Sequence, residues 1–253
     1  MCRVNLAVWW FMGMIFVVAC GDDLVMEDPC RDASCGPGVC KWTRERIPYC
    51  ECPEGLSPFE LNCLVNDYKP MIYLYPPEPT EVTVRFADPR SPVLLHTYPA
   101  YGDGWRVRAL PDGILEDPVT GERFYALFWE GHTAPAGRPK SGFVVAGEDT
   151  ARFLEETLAA LGLSWRERNE FIVFWLPVLE QNAFNFLHFS TDAWARRVPL
   201  EVSPPPDSVL RVSMMYEPLD RPPRVLPAAQ VFLPFSRGGF TLVEWGGERL
   251  VSP

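Results

Sequence analysis

The chain has 253 residues with 47% hydrophobic and 13% aromatic side chains, enough for a real core and too many for a disordered polymer. Its net charge is −10 and it has no basic stripe, so it repels phosphate backbones and nucleic-acid binding is excluded. The 27 prolines disfavour long helices and favour turns, edge strands and extended connectors.

Residues 1–20 read MCRVNLAVWWFMGMIFVVAC. One charge, Arg3, precedes an uncharged run from Leu6 to Ala19. That run is too short to cross about 30 Å of hydrocarbon as a helix and fits the apolar region of a secretory signal. The ending Val17-Val18-Ala19-Cys20 resembles a bacterial lipobox. The resemblance implies removal of residues 1–19, acylation of Cys20 and attachment to a membrane through its lipid. Several acyl chains hold far more firmly than one, because each buried CH₂ contributes about 0.8 kcal/mol. Residues 20–29 then form the lipidated cysteine and a flexible tether that begins Gly21-Asp22-Asp23. Gly21 rather than Asp after the cysteine leans towards an outer membrane if the host is Gram-negative.

Cys2 lies in the signal and Cys20 would carry lipid, so six cysteines remain: Cys30, Cys35, Cys40, Cys50, Cys52 and Cys63. An even number in an exported segment implies a disulfide framework, with 15 connectivities open for six cysteines. Cys50 and Cys52, separated by the single residue Glu51, are expected to serve different bridges. A zinc site of thiolates lacks a Cys-x2-Cys pair and a nearby histidine. The spacing, with Gly36, Gly38 and Gly55 at turn positions, resembles an EGF-like domain over residues 30–63. That resemblance implies the pairs Cys30–Cys40, Cys35–Cys50 and Cys52–Cys63. Calcium-binding members of that family carry acids before the first cysteine, here Glu27-Asp28, and an Asp or Asn between the third and fourth. Residues 41–49, KWTRERIPY, supply neither, so calcium is not expected. Lys41, Arg44 and Arg46 make this loop basic in an acidic chain.

Residues 64–69 read as a linker and residues 70–253 as one β-rich α+β domain, mainly antiparallel. Met71–Tyr75, the alternating run around Val82, Val84 and Phe86, Pro92–Tyr98, the run around Trp105 and Val107, and Arg123–Trp129 are predicted strands. One clear helix is expected over about 149–161, capped by Asp149 or Thr150 and ended by Gly162. Ser164-Trp165-Arg166-Glu167 is a capping box for a second, short helix. Phe171–Leu176 is apolar on both faces and reads as a central buried strand, with Ala183–Phe189 beside it. Val198–Val202, Val209–Tyr216 and Phe240–Trp245 supply further strands. The proline-rich stretch 218–234 reads as an extended connector. Gly102-Asp103-Gly104 and Gly246-Gly247 read as turns. Lys69–Pro76, YGDGWRVRALPDG at 101–113, LFWEG at 127–131, residues 142–148, EFIVFWLP and GFTLVEWGG resemble a family of uncharacterised bacterial proteins. That resemblance implies no activity.

Chemistry-bearing residues are few. Glu130 and His132 flank Gly131 at a strand end, where a carboxylate and an imidazole can act as acid and base. Glu130 with Glu180, or Glu170 with Asp192, are carboxylate pairs that could flank a glycosidic bond. His96, His132 and His188 are the only histidines, and the commoner fate of such residues in apolar strands is a hydrogen-bonded or surface imidazole rather than a metal site. No Gly-x-Ser-x-Gly elbow accompanies Lys140-Ser141, and no glycine-rich phosphate loop is present. Six tryptophans follow the cysteine segment, and Trp105, Trp129 and Trp245 on strands read as core rather than as a sugar platform. The expectation is a lipid-anchored envelope protein that binds a protein or glycan without catalysis, cofactor or metal. A glycan-acting envelope hydrolase using Glu130, His132 and Glu180 is the alternative.

Overall fold

A computed structural model describes residues Asp28–Leu250, so Cys20, the apolar segment before it and most of the tether lie outside the described residues. The chain is mostly β-sheet with few helices, 43% strand and 16% helix. In chain order the strands are β1 (Val39–Trp42), β2 (Pro48–Glu51), β3 (Leu56–Phe59), β4 (Asn62–Tyr75), β5 (Thr80–Phe86), β6 (Val93–Tyr98), β7 (Trp105–Ala109), β8 (Leu115–Glu116), β9 (Arg123–Phe124), β10 (Leu127–Thr133) and β11 (Phe143–Ala146). Helices α1 (Thr150–Leu161) and α2 (Trp165–Leu179) follow, then β12 (Phe184–Ser190), helix α3 (Asp192–Arg197), β13 (Leu200–Ser203), β14 (Ser208–Leu219) and β15 (Thr241–Arg249).

The disulfides are Cys30–Cys40, Cys35–Cys50 and Cys52–Cys63, the pairing implied above. They staple a region whose own core is little more than Cys35, Cys50, Cys63, Leu56 and Val65. So small a cluster cannot hold a fold by burial alone, and the bridges supply what it lacks. β1 and β2 form a sheet of their own, with Cys40 opposite Cys50 and Lys41 opposite Tyr49.

Leu64–Lys69 is not a linker. Those residues are the middle of β4, which begins at Asn62 in the disulfide region and ends at Tyr75 in the centre of the large sheet. Each side chain from Cys63 to Val65 is buried, which a connector run through solvent would not be. The large sheet runs β11-β12-β14-β15-β4-β10-β6, with β3 also on β4. A second sheet runs β13-β5-β7-β8-β9. Neighbours are antiparallel except β14 and β15, which are parallel.

Alternation along the central strands builds three layers. Met71, Tyr73, Val243 and Trp245 face α1 and α2, packing on Leu154, Leu158, Phe171 and Trp175. Ile72, Leu74, Leu127, Trp129 and Leu242 face the second sheet and α3, packing on Val82, Val84, Trp105 and Trp194. Trp105, Trp129, Trp175, Trp194 and Trp245 are all fully buried, so these five form core; of the six after the cysteine segment only Trp165 is exposed.

The helix α1 forms where expected and ends at Gly162, whose φ of 99° is the left-handed conformation that glycine tolerates. The capping box at Ser164 and Glu167 also forms, with Ser164 N–H donating to Glu167 Oε2 at 2.7 Å. It opens fifteen residues of helix rather than a short one, and Phe171–Leu176 belongs to that helix, not to a strand. Phe171, Trp175 and Leu179 repeat every four residues and are buried, whereas Val173 is 74% exposed. A six-residue apolar run matches either period, and the cap decides between them. The central buried strands are β4 and β15 instead. Gly246-Gly247 likewise is not a turn but lies inside β15.

The proline-rich stretch after β14 is an extended connector, as expected. Gln230 pairs with the backbone of Phe189 at 2.8 and 2.9 Å, and Arg237 binds the buried Glu167 at 2.5 Å.

Helix α3 sits on a charged patch of the large sheet. The buried Glu244 carboxylate accepts from Trp129 Nε1 at 3.1 Å, Trp194 Nε1 at 2.8 Å and Arg211 Nε at 2.7 Å. Arg197 donates to Glu248 at 2.6 Å and to Asp67 at 3.4 Å. Burial, then the neighbouring Glu248 charge, pushes the Asp67 carboxyl well above its ordinary range, and burial pushes Glu248 up too. A carboxyl raised in the folded state binds its proton more tightly there than when unfolded. Its stabilising effect is therefore complete below the unfolded pKa and is lost as pH rises through the folded one. Asp67→Asn cannot ionise, and Arg197 keeps Glu248. Chemical denaturation from pH 4 to pH 8 should show the variant gaining on the wild type as pH rises, by up to about 1.4 kcal/mol per pH unit, the limit for one proton. Parallel stability curves for the two chains would mean that Asp67 binds its proton no more tightly folded than unfolded, and would rule out the raised pKa.

Candidate functional site

The site is built around a defect in β4. Between Asp67 and Met71 this strand carries three residues, and β10 carries only two between Gly131 and Phe128. Against β15, Tyr68 and Met71 pair with Gly247 and Trp245, so one extra residue faces that side as well. The strand therefore bulges at Lys69-Pro70 while paired on both flanks. Pro70 has no N–H to donate, which suits a position where the ladder is interrupted. Lys69 has φ +49°, a left-handed conformation that glycine adopts freely and lysine does not.

Neighbours make room for the bulge. A Cβ on Gly246 would sit 3.0 Å from Pro70 Cα, and one on Gly247 would sit 2.6 Å from Trp175 Cζ2. Glu130 on β10 accepts the Lys69 N–H at 3.2 Å. The Lys69 ammonium lies 4.9 Å from the Phe174 ring centre and 5.7 Å from that of Trp245, within cation–π range.

Beside Lys69 opens a cleft of about 510 Å³, lined by Lys69, Glu130, Arg123, Tyr98, Tyr125 and Phe174 among others. Phe124 and Phe128 complete a largely aromatic wall. Tyr98 is 64% exposed and Tyr125 52% exposed, at the rim. Each element contributes for a local reason: β4 bulges, β6 and β10 pair Tyr98 with Phe128, and α2 presents Phe174 one residue before the buried Trp175. Trp245 Nε1 donates to Tyr73 Oη at 3.1 Å, and Tyr73 Oη donates to Glu170 Oε2 at 2.6 Å, tying the sheet to α2. Burial, then the Glu170 hydrogen bond, holds the Tyr73 phenol far above its ordinary range, so it stays a donor. Burial and the Glu170 charge also raise Tyr125.

The arrangement offers the Lys69 ammonium, the Arg123 guanidinium, which already donates to Glu116 at 2.9 and 3.1 Å, one carboxylate and an aromatic wall. It can hold an apolar or aromatic body with an anionic group; it does not assemble an acid–base pair. Glu130 and His132 part company at a register break between Glu130 and Gly131. A Cβ on Gly131 would meet the Val93 carbonyl oxygen at 2.6 Å, so that break needs glycine. Glu130 lines the aromatic cleft, whereas His132 lines a separate hollow with Phe59, Leu64, Arg90 and Val93. The register partner of Glu130 is His96, not His132. Burial lowers the His132 pKa, and its Nδ1 is buried with no hydrogen-bond partner.

Glu180 caps the C-terminus of α2 and lines neither hollow, so it does not pair with Glu130. Glu170 is bound to Tyr73, while Asp192 opens α3 beside Leu161 and Phe235. His188 Nδ1 bonds the Ser141 carbonyl at 2.9 Å. Among the described residues no group of three or more His, Cys, Asp or Glu is placed to hold a metal ion. Sequence reasoning missed Lys69, Tyr98, Arg123, Tyr125 and Phe174. The proline after Lys69 in a strand-like run was the one signal of a bulge.

No protein-family model matches the chain, and no curated protein or solved structure matches it either.

The backbone at Lys69 gives a test that separates strain from packing. Lys69→Gly fits φ +49° without steric cost, and this gain offsets the extra chain entropy of glycine. The variant should unfold within about 1 kcal/mol of wild type in urea. A loss several times larger would mean that Lys69 holds the strand rather than being held by it.

Proposed function

We propose that this is an exported protein held on a bacterial envelope membrane by lipid on Cys20, which binds a ligand in the aromatic cleft without transforming it. The observation that carries the binding reading is the strained Lys69 at the foot of an aromatic-walled cleft. Non-glycine residues in the left-handed region cost free energy and gather at ligand clamps and active sites. The three disulfides are those of a chain folded in an oxidising, exported setting. Among the described residues no helix is long and apolar enough to cross a membrane. The lipobox-like Val17–Cys20 supports the anchor, and the bridge pairing supports an EGF-like spacer at residues 30–63.

The lining favours an acidic peptide segment with an aromatic side chain over an unmodified glycan. A neutral sugar needs a denser set of hydrogen-bonding groups than Lys69, Arg123 and Glu130 supply. The hydrolase alternative has no comparable support, because its named residues Glu130, His132 and Glu180 are dispersed.

The fluorescent aromatic anion anilinonaphthalene sulfonate tests the cleft. It should bind the folded chain, and Lys69→Gly and Tyr125→Ala should each weaken it about tenfold, the scale of one lost charge or ring contact. Equal titration curves for wild type and both variants would reject the cleft as a ligand site.

The anchor has its own test. Cells fed an alkyne fatty acid should label the wild-type chain and leave Cys20→Ala unlabelled. Labelling that persists in Cys20→Ala would reject the lipid-anchor reading.

A further inference from the structure

The β1–β2 hairpin presents an unusual surface for an acidic protein. Val39, Trp42, Ile47 and Tyr49 are 60%, 51%, 61% and 44% exposed, four large apolar side chains within one short hairpin. Lys41 lies opposite Tyr49 and Val39 opposite Glu51, so Val39, Lys41 and Tyr49 share one strand face. Cys40 and Cys50 occupy the other face, and their bridges to Cys30 and Cys35 fix the hairpin's shape. Trp42 stands at the tip on the cysteine side. At that tip Arg44 and Arg46 flank Glu45, and Lys41 pairs with Glu51. The balance there is positive, although the chain as a whole carries −10.

We propose that the tip of this hairpin, which carries Trp42, Ile47 and Tyr49 with Arg44 and Arg46, is where the protein rests against an anionic phospholipid bilayer. The inference rests on the lipid-anchor reading above. Tryptophan and tyrosine settle at the headgroup level because one part of each ring is apolar and another hydrogen-bonds to water. Arginine and lysine beside them meet lipid phosphates while their stems lie along apolar surface.

Geometry brings the two together. Nine residues lie between Cys20 and Cys30, so the two are at most about 35 Å apart when fully extended. The Cys30–Cys40 bridge, with Cα atoms 5.9 Å apart, then ties the end of that tether directly to β1. A chain anchored at Cys20 therefore keeps Cys30, and with it β1, within about 35 Å of the bilayer, so the hairpin can reach the surface. The large domain leaves the disulfide region through β4, which lies outside the two-stranded β1–β2 sheet.

Hydroxyl-radical footprinting of the full chain decides the matter, with oxidation of single residues read by mass spectrometry. The protein is compared in detergent, on phosphatidylcholine vesicles, and on phosphatidylcholine vesicles containing phosphatidylglycerol. On the anionic vesicles Trp42 and Tyr49 should be oxidised about fivefold more slowly than in detergent, as expected for rings moved to the headgroup level. Trp165, 65% exposed on α2, should keep its detergent rate. Arg44→Glu should halve the protection on anionic vesicles and leave the smaller effect on phosphatidylcholine unchanged, with the three bridges verified by mass.

Detergent-like oxidation of Trp42 and Tyr49 on anionic vesicles overturns the docking proposal. If that chain still carries its acyl label and floats with the vesicles, the anchor reading stands and only the docking falls. If Cys20→Ala floats and keeps the label, the anchor reading falls, and the oxidation of Trp42 still decides whether the hairpin meets lipid. A wild-type chain that does not float at all overturns both.

Discussion

One strand sets the constraint that the rest of the structure meets. β4 starts at the last cysteine of the disulfide region and ends between β10 and β15 at the centre of the large sheet. Cys63, Val65, Ile72 and Leu74 are all buried on it, so both of its ends are fixed by packing. The two ends need different registers, and the bulge at Lys69-Pro70 absorbs the difference. A strand paired on both sides cannot slip by one residue without turning every side chain to the wrong face. The extra residue therefore has to be accommodated locally, and Lys69 takes the backbone strain. The disulfide region is thus a fixed extension of the sheet rather than a bead on a linker.

The second organising interaction is the carboxylate of Glu244. Three N–H groups converge on it from β10, α3 and β14. Trp129 and Trp194 stack with ring centres 6.0 Å apart above it, and the Arg211 guanidinium lies 5.9 Å from the Trp194 ring. A buried carboxylate costs several kcal/mol in lost hydration, and what offsets it here is the number and directness of its donors. Replacing Glu244 would strand the buried Trp129 and Trp194 N–H groups, and losing any one donor would leave the buried carboxylate less well offset, which is why such patches resist piecemeal change more than a purely apolar layer does. Six-residue α3 has little helix of its own to offer, since so short a helix is unstable alone. Its place is set by Trp194 and Arg197 reaching the sheet.

The sequence was most legible where a feature has a local chemical cause. Gly162 ended α1, the capping box opened α2, and alternation marked β5 and β7. The number and spacing of the cysteines narrowed the framework, and the resemblance supplied a pairing that the bridges match. It was least legible where two periods fit one run. Phe171–Leu176 is apolar enough for a buried strand, and what separates the readings is the capping box upstream, whose helix buries Phe171 and Trp175 and exposes Val173. The candidate site was harder still. Glu130 was picked for the wrong companion, because i and i+2 on a strand share a face only while the register holds. The glycine between Glu130 and His132 marks where it fails. Lys69 was hidden because residues 64–69, polar at Asn66, Asp67 and Lys69, read as a connector. Asp67 is in fact buried against Arg197, a pairing across 130 residues that no local pattern encodes.

The choice of lysine at the bulge bears on what the cleft is for. Glycine at residue 69 would adopt φ +49° at no steric cost, and glycine is already used across the strand at Gly246 and Gly247, where side chains would collide with Pro70 and Trp175. The chain thus spends its conformational freedom on the partner strand and keeps a charged side chain at the strained position itself. Packing alone gives little reason for this, since the Lys69 side chain is only half-buried, with its ammonium near the Phe174 ring that lines the cleft and the buried Trp245 ring. What the lysine adds that glycine lacks is a cation, held over the Phe174 ring, in a cleft also lined by Arg123 and Tyr125. A charge already held against aromatic rings loses less freedom on meeting an anion than one on an unsupported stem. The bulge therefore positions a charge in a place where the fold alone asks only for a turn of the backbone.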